Sequence, residues 1–509
     1  MADTVAGLFS AHPASDPAIG APDRPTLNYG GLRALSQQTG ESLRQMGIGS
    51  GDRIAIVLPN GPEMAAAFMT VACHATTAPL NPAYRQEEVE FYLEDLNACA
   101  VILADGDDGP AAKAAQAKNI AIIRLHVEAA APAGQFSLTG DQAATPADSP
   151  PPGPDGVALV LHTSGTTSRP KIVPLLQRNL VASAQHIGQT LQLSPQDRCL
   201  NIMPLFHIHG LIAAVLSSLA AGASIVCTPG FNALNFFKWF DAAEPTWYTA
   251  VPTMHQAILA RAARNQASVE KSQLRFIRSS SASLPSQVMT ALEEALKAPV
   301  IESYGMTEAT HQMASNPLPP AEHKAGSVGI AAGPQVRVAS ETEDLLLAQG
   351  DTGEVVISGP NVTPGYESNP QANQKAFFEA DGLRWFRTGD QGVHDEQGYL
   401  RLTGRLKEII NRGGEKISPL EVDEVLMDHP AIQQVVTFGI PHEKLGEEVG
   451  AAVVLRDSEQ ADEKSIRAFA AERLADFKVP RKVVVLDEIP KGATGKLQRI
   501  GLAQKLGLA

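Results

Sequence analysis

From Asp52 the chain reads Asp-Arg-Ile-Ala-Ile-Val-Leu, two charged residues and then an apolar run to Leu58. Such a run predicts a strand buried on both faces. Residues 63–75 then predict a helix, 86–96 an amphipathic helix, and 98–104 a second buried strand. The alternation continues with short strands at 224–228, 247–250, 274–279 and 300–303, separated by helical runs such as 253–264 and 285–297. This pattern predicts an α/β fold with largely parallel sheets. The longest uncharged apolar stretch, 210–226, is short for a membrane span, and Gly222 and its serines suit a helix, a turn and a strand better.

Between 128 and 156 the chain is rich in Ala and Pro, ending in Ser149-Pro150-Pro151-Pro152-Gly153-Pro154. A loop is expected there, because proline removes a backbone donor and fixes φ. After about residue 350 the strands shorten, as at 353–359, and a charged, glycine-containing connection covers 403–414. The last hundred or so residues alternate on their own, which predicts a large N-terminal domain over 1–406 and a small α/β domain over 407–509, with the boundary near Lys407. No internal repeat is evident.

Composition narrows the function classes. The 509 residues are 44% hydrophobic and 19% charged, an ordinary globular balance with a sizeable core. Net charge is −14, with 41 basic residues against 55 acidic and no basic cluster, which argues against nucleic acid as a partner. Cys73, Cys99, Cys199 and Cys227 form no CxxC pair and no metal-ligand spacing, so reduced thiols are expected. No signal peptide is evident at residues 1–10, and Gly507-Leu508-Ala509 is not a peroxisomal address. A cytoplasmic enzyme with no membrane partner is the expectation.

The chemistry begins at His162, where the sequence reads HTSGTTSRPKIVPL directly after the apolar run 157–161. The stretch lacks the glycines and the Lys-Ser/Thr pair of a Walker loop. It has the ingredients of an anion site all the same: a close backbone approach at Gly165, hydroxyls on Thr163, Ser164, Thr166 and Thr167, and the point charge of Lys171. By content alone, a polar surface loop is equally good. Further segments favour the anion site. Glu302 and Ser303 lead into Tyr304-Gly305-Met306-Thr307-Glu308 just after a predicted strand, where α/β folds bind ligands. There Tyr304 suits stacking on a base, Thr307 a phosphate, and Glu308 Mg²⁺ shared with phosphates. Asp390, in Arg387-Thr388-Gly389-Asp390, suits ribose hydroxyls. Arg405 stands in Gly404-Arg405-Leu406-Lys407-Glu408, and Lys496 closes Lys491-Gly492-Ala493-Thr494-Gly495-Lys496.

Together these segments resemble the adenylate-forming superfamily of acyl-CoA synthetases, luciferases and peptide-synthetase adenylation domains. The similarity spans nearly the whole chain, with the motifs in order. Within it, PLFHIHGL (from Pro204), WYTAVPTMHQ (from Trp247), RFIRSSSASL (from Arg275), MTEATHQMASNPLP (from Met306) and INRGGEKISPLEVD (from Ile410) resemble the oxalate–CoA ligases of plants and fungi. The resemblance implies a carboxylate that attacks the α-phosphorus of MgATP, followed by transfer of the acyl group from AMP to coenzyme A. It implies a phosphate loop at 163–171, an adenine and Mg²⁺ segment at 302–308, a ribose contact at Asp390, and Lys496 between the substrate carboxylate and the α-phosphate. It also implies a hinge at Lys407 and a pantetheine tunnel lined by Gly413, Gly414 and Glu415, although an ordinary turn explains the Gly pair nearly as well.

For the acid, the resemblance to oxalate–CoA ligases implies His207, Ser281 and His311, and with them a role in oxalate catabolism. A small dianion needs polar donors rather than an apolar tunnel. His209 suits local packing or hydrogen bonding, and Arg278 stands either at the core edge or in the pocket. Other readings remain open on residues alone: a ligase for another small or aromatic acid, an adenylating enzyme that loads a carrier protein, or an inactive nucleotide-binding homologue. One departure stands out. Where the family has Gly after Pro-Lys, this chain has Ile172, which is strained if φ is positive there and only stiffens the loop exit if φ is negative.

Overall fold

The structure is a computed structural model that describes residues 2–143, 145–163, 170–457 and 459–509. A seven-stranded sheet runs in the spatial order Ser137–Thr139, Ala121–His126, Ala100–Ala104, Arg53–Val57, Thr76–Pro79, Val157–Thr163, Lys171–Leu176. Its five inner strands pair in parallel and its two edges are antiparallel. Ile54 and Ile56 face one apolar cluster while Ala55 and Val57 face another. Burial on both faces is why this strand reads as a continuous apolar run and does not alternate. The helix Pro62–Ala72 is buried at every position except Glu63, as a helix packed on all sides must be.

A nine-stranded sheet carries the strands that matter for chemistry. Arg198–Asn201, Trp247–Ala250, Phe276–Ser280 and Val300–Met306 lie side by side in parallel, so their carboxyl ends open together at one edge. Val300–Met306 turns through a 3₁₀ segment, Thr307–Ala309, into the antiparallel strand His311–Ser315. The apolar stretch 210–226 becomes a helix, a turn and the strand Ser224–Cys227. Its helix, however, has π geometry over His209–Leu216, with all eight residues buried. Such insertions of π geometry often sit at functional sites.

A third sheet, built from Gln335–Ala339, Gly353–Ser358, Leu383–His394, Phe377–Ala380 and Leu400–Arg405, is antiparallel throughout. The expectation of largely parallel sheets therefore holds for the first two only. The C-terminal unit wraps Pro419–Met427 and Glu463–Ala471 onto its own sheet, centred on Ile432–His442 and Gly446–Leu455. Two further expectations change. The 128–156 segment contains the short strand Ser137–Thr139, and the 403–414 connection is ordered as the end of one strand, a turn, and Ile410–Arg412. No helix among the described residues is long and apolar enough to cross a membrane.

The question at Ile172 has an answer. It lies in Lys171–Leu176, paired with His162, and it is absent from the residues with positive φ. It packs half-buried against the cluster around Val57 and Val160. Replacing it with Gly relieves no strain. Ile172→Gly is expected to cost about 1–2 kcal/mol, from lost burial and backbone entropy, read as a lower melting temperature.

Candidate active site

Three strand ends and one incoming loop build the site. At one end, Tyr304 donates to Asp390 Oδ2 at 2.5 Å, and Arg405 Nε stands 3.5 Å from Asp390 Oδ1. The pair Asp390–Arg405 is set by direct register between Leu383–His394 and Leu400–Arg405. Burial pushes Asp390 up, against the pull of Arg405, the Tyr304 hydrogen bond and Lys496. Glu308, buried at the head of the 3₁₀ segment, accepts from Tyr366 Oη at 2.8 Å. Burial raises its pKa, opposed by Tyr366, Lys171 and Arg405. The ammonium of Lys171 sits 4.2 Å from the centroid of the Tyr366 ring, within cation–π range. Tyr366 thus ties Lys171 to Glu308, a link that 58 residues of sequence separation hid.

Thr163 and Lys171 face each other as the last pair of two antiparallel strands. Ser164, Gly165, Thr166 and Thr167 lie outside the described residues. Thr307 is half-buried at the start of its turn, and Ser303 donates to Ser279 O at 3.3 Å. Glu302 points elsewhere: it accepts from Leu284 N at 2.9 Å, and its carboxyl feels Glu424 of the small unit. Burial pushes Glu302 up to about 8. A carboxyl whose folded pKa exceeds its unfolded one stabilises fully below the unfolded pKa, and that contribution is lost as pH rises through the folded value. Glu302→Gln removes this dependence. It is expected to raise the melting temperature relative to wild type at about pH 9 and not at about pH 4, measured by thermal unfolding at both.

Lys496 arrives on a loop closed by its own backbone, with Gly492 N to Lys496 O at 2.8 Å and Gly495 N to Gly492 O at 2.9 Å. Thr253 Oγ1, at the first turn of Pro252–Ala262, donates to Gly495 O at 2.7 Å and docks the loop. Gly495 holds φ +82°, a conformation L side chains rarely adopt. Lys496 is half-buried. Burial and the Arg405 charge pull it down to about 8, with Asp390 opposing.

Next to it lies a cluster of imidazoles. His209, fully buried at the start of the π segment, engages Ser281 Oγ at 3.0 Å through Nδ1 and Thr249 Oγ1 at 2.6 Å through Nε2. Its ring centroid is 5.0 Å from that of His311. The backbone N–H of His209 donates to His207 Nδ1 at 3.3 Å. Burial, then the Lys496 charge, pulls His207 down to about 3. Burial and surrounding cations hold His209 and His311 well below the usual histidine range. Three neutral imidazoles therefore stand beside two cations, Lys496 and Arg278. Ser281, Thr310 and His311 hold positive φ of 75°, 49° and 92°, strain of roughly 1–3 kcal/mol each that the surrounding packing must offset.

Arg278 is fully buried, and burial pulls it down to about 9, so it stays charged near neutrality. It points into this cluster and not to a core edge. Nothing local in the sequence marks Thr249, which lies in a four-residue buried strand. Gly413 and Gly414 make the two-residue turn between Ile410–Arg412 and Glu415–Ile417, with Arg412 paired to Glu415 and both φ positive, the demand of a tight hairpin. With Glu415 they are exposed, apart from the Lys496 cluster. Lys407 is exposed in the turn after Arg405, and its charge reaches Lys171.

The profile of the AMP-binding enzyme family matches residues 9–367, and that of the AMP-binding enzyme C-terminal domain matches residues 421–496. The chain belongs to the AMP-binding enzymes. Over 516 aligned positions this AMP-binding enzyme is 44% identical to the oxalate–CoA ligase of Arabidopsis thaliana, covering 99% of this chain and 98% of that one. It is 40% identical to the oxalate–CoA ligase of Saccharomyces cerevisiae over 476 positions, covering 89% and 86%. Its fold superposes on ATP-bound MatB from Rhodopseudomonas palustris with a TM-score of 0.88 at 26% identity, over 99% of both chains. With these relatives, it is an AMP-forming acid–CoA ligase.

Proposed function

We propose that this AMP-binding enzyme activates oxalate, forming oxalyl-AMP and then oxalyl-CoA, with release of pyrophosphate and AMP. The observation that carries the reading is the polar cluster of His207, His209, Ser281 and His311 beside Lys496 and Arg278. Net positive charge with neutral donors around it suits a small dianion, because a carboxylate out of water needs charge and hydrogen bonds together. The two oxalate–CoA ligase relatives support the same substrate.

In this reading the obstacle in the first step is repulsion between two anions, the substrate carboxylate and the α-phosphate. Lys496 bridges them, and its loop presents the ammonium where charge develops. The loop through Lys171 holds the β- and γ-phosphates, which leave as pyrophosphate. Tyr304 packs on adenine and Asp390 takes the ribose hydroxyls. Thr307 contacts phosphate, and Arg405 balances Asp390. His207, Ser281 and His311 take the acid. Among the described residues no three His, Cys, Asp or Glu side chains group around a metal. Glu308, a buried carboxylate tied to Lys171 through Tyr366, would hold Mg²⁺, an ion that commonly binds through one or two carboxylates together with substrate phosphates. When bound, the ion neutralises phosphate charge. For the second step the small domain, from residue 407, turns about Lys407. That motion brings Gly413, Gly414 and Glu415 to the coenzyme A arm.

A second reading has its own observation. An apolar cleft of about 410 Å³, lined by Leu58, Met64, Phe206, Phe231 and Met254, lies beside the Lys496 loop. It is suited to a larger or aromatic acid. ATP–pyrophosphate exchange over a panel of acids separates the two: oxalate is expected to give the strongest exchange, and stronger exchange with hexanoate or coumarate overturns the proposal. A third outcome, transfer to a phosphopantetheinylated carrier and not to coenzyme A, would reassign the second step.

A further inference from the structure

Among the described residues Arg278 is a cation with no carboxylate partner. The strand Phe276–Ser280 delivers it, at 0% exposure, to the space behind His311. Its Nη2 donates to Gln312 Oε1 at 3.2 Å and stands 3.5 Å from His311 Nδ1, the long end of the hydrogen-bond range. Its Nε and Nη1 have no partner among the described residues, and neither does His311 Nε2. Buried donors without partners are rare and costly, and a native structure keeps them for a reason. Gln312 is itself fixed, with Nε2 on Thr190 Oγ1 and Ala332 O, both at 3.1 Å. The guanidinium is therefore clamped on one side and buried without a partner on the other.

A guanidinium donates and never accepts. A hydrogen bond between Arg278 Nη2 and His311 Nδ1 thus makes Nδ1 the acceptor. With the ring neutral, the proton must then sit on Nε2, the atom left without a partner. We infer that Arg278 is a positioning residue for the acid site: it holds His311 in the Nε2–H tautomer, so that a neutral imidazole backed by a buried cation donates to the distal carboxylate of a small diacid. The reading of the acid as a diacid rests on the proposed function; the tautomer does not.

Groups facing His311 from every packed element fit this account. His209 is engaged on both nitrogens by Ser281 and Thr249, so it does not partner His311 Nε2, which stays buried and unpaired among the described residues. Gly305, across the strand pair, brings only backbone to the ring. The charged and titratable neighbours of His311 are Arg278, His207 and Lys496, with His209 in ring contact. None of these is an acid, so the anion that this arrangement would take is the substrate.

The tautomer is read directly on the ligand-free enzyme by ¹⁵N imidazole NMR, with His311 assigned by its loss in His311→Gln. Nε2 protonated and Nδ1 bare at about pH 7 is expected; the opposite tautomer, or an imidazolium, overturns the inference. Arg278→Met supplies the functional arm. KM for oxalate is expected to rise on the order of 30-fold, the scale of a charge-assisted hydrogen bond, with kcat within about threefold. Arg278→Lys, which restores a charged donor, is expected to recover part of the loss. In a His311→Ala background the Arg278→Met change is expected to add less than about threefold, because both act through one contact. An unchanged KM in folded Arg278→Met, or equal losses in both backgrounds, overturns the inference. Preference of wild type for hexanoate would instead overturn the diacid reading while leaving the NMR result to decide the tautomer.

Discussion

Lys496→Ala is expected to abolish adenylate formation while leaving transfer from pre-made oxalyl-AMP to coenzyme A largely intact. The reason is the position of the amine. Lys496 stands half-buried between the Asp390–Arg405 pair and the imidazole cluster, with burial and then Arg405 already depressing its pKa. Two anions brought to this point raise the local demand for a cation, and Lys496 supplies it from a docked loop. Loss of one preorganised donor of this kind costs about 10²–10³ in rate, and a full charge between two anions belongs at the upper end. The loop itself survives the change, because its closure runs through Gly492 N, Lys496 O and the Thr253–Gly495 contact, none of them the side chain. The melting temperature should therefore barely move. Wild-type adenylation should also fall as pH rises through about 8, where the free amine deprotonates. Lys496→Arg should move that fall upward. Pyrophosphate exchange and single-turnover thioester formation measure the two halves separately; equal loss in both refutes the role.

Much of this was open to reading in the sequence, and what stayed hidden has a physical pattern. The buried strands around Ile54, Val101 and Val300 announce themselves because parallel sheets covered on both faces need continuous apolar runs. The segments around Lys171, Tyr304, Asp390 and Lys496 stand out because they set Gly turns beside polar and charged side chains, the combination that a bound phosphate or carboxylate would require. Pairings across distance do not stand out. Nothing local to Tyr366 marks it as the partner of Glu308, and nothing local to Thr249 marks it as the partner of His209. The π register of His209–Leu216 left no trace either, since a helix apolar on all sides has no period to betray its pitch. Arg278 was ambiguous for a related reason: a buried strand alternates between two interiors, and only the packed structure tells which interior is polar. Ile172 shows the reverse case. A departure from the family residue, alarming in sequence, proves to be an ordinary strand position with negative φ.

Gly305→Ala is expected to damage acid activation more than any other single-methyl addition near the site. A Cβ at Gly305 would lie 1.9 Å from His311 O, 2.7 Å from His311 C and 3.2 Å from His311 Nδ1. The first two are backbone atoms of the facing strand, so no rotamer change escapes them. The pairing here is already irregular, with a register shift between Tyr304 and Gly305 and His311 at φ +92°. Gly305 is needed for close approach of two chains and not for a left-handed φ. Its replacement must push His311 away from Arg278 and His209, and shift Tyr304 against Asp390 on the other side. Overpacking of this kind costs about 1–3 kcal/mol of stability, and a displacement of about 1 Å at a reacting group costs on the order of 100-fold in rate. Both strand neighbours are affected, so the expected signature is a loss in kcat/KM for oxalate together with weaker ATP binding in a folded protein of lower melting temperature. Gly414→Ala, at φ +96° with open space around its Cβ position, serves as the contrast: it strains one exposed turn and should leave adenylation unchanged. If Gly305→Ala keeps wild-type kcat/KM, the close contact with His311 does not govern the acid site, and the route from strand register to substrate position argued above is wrong.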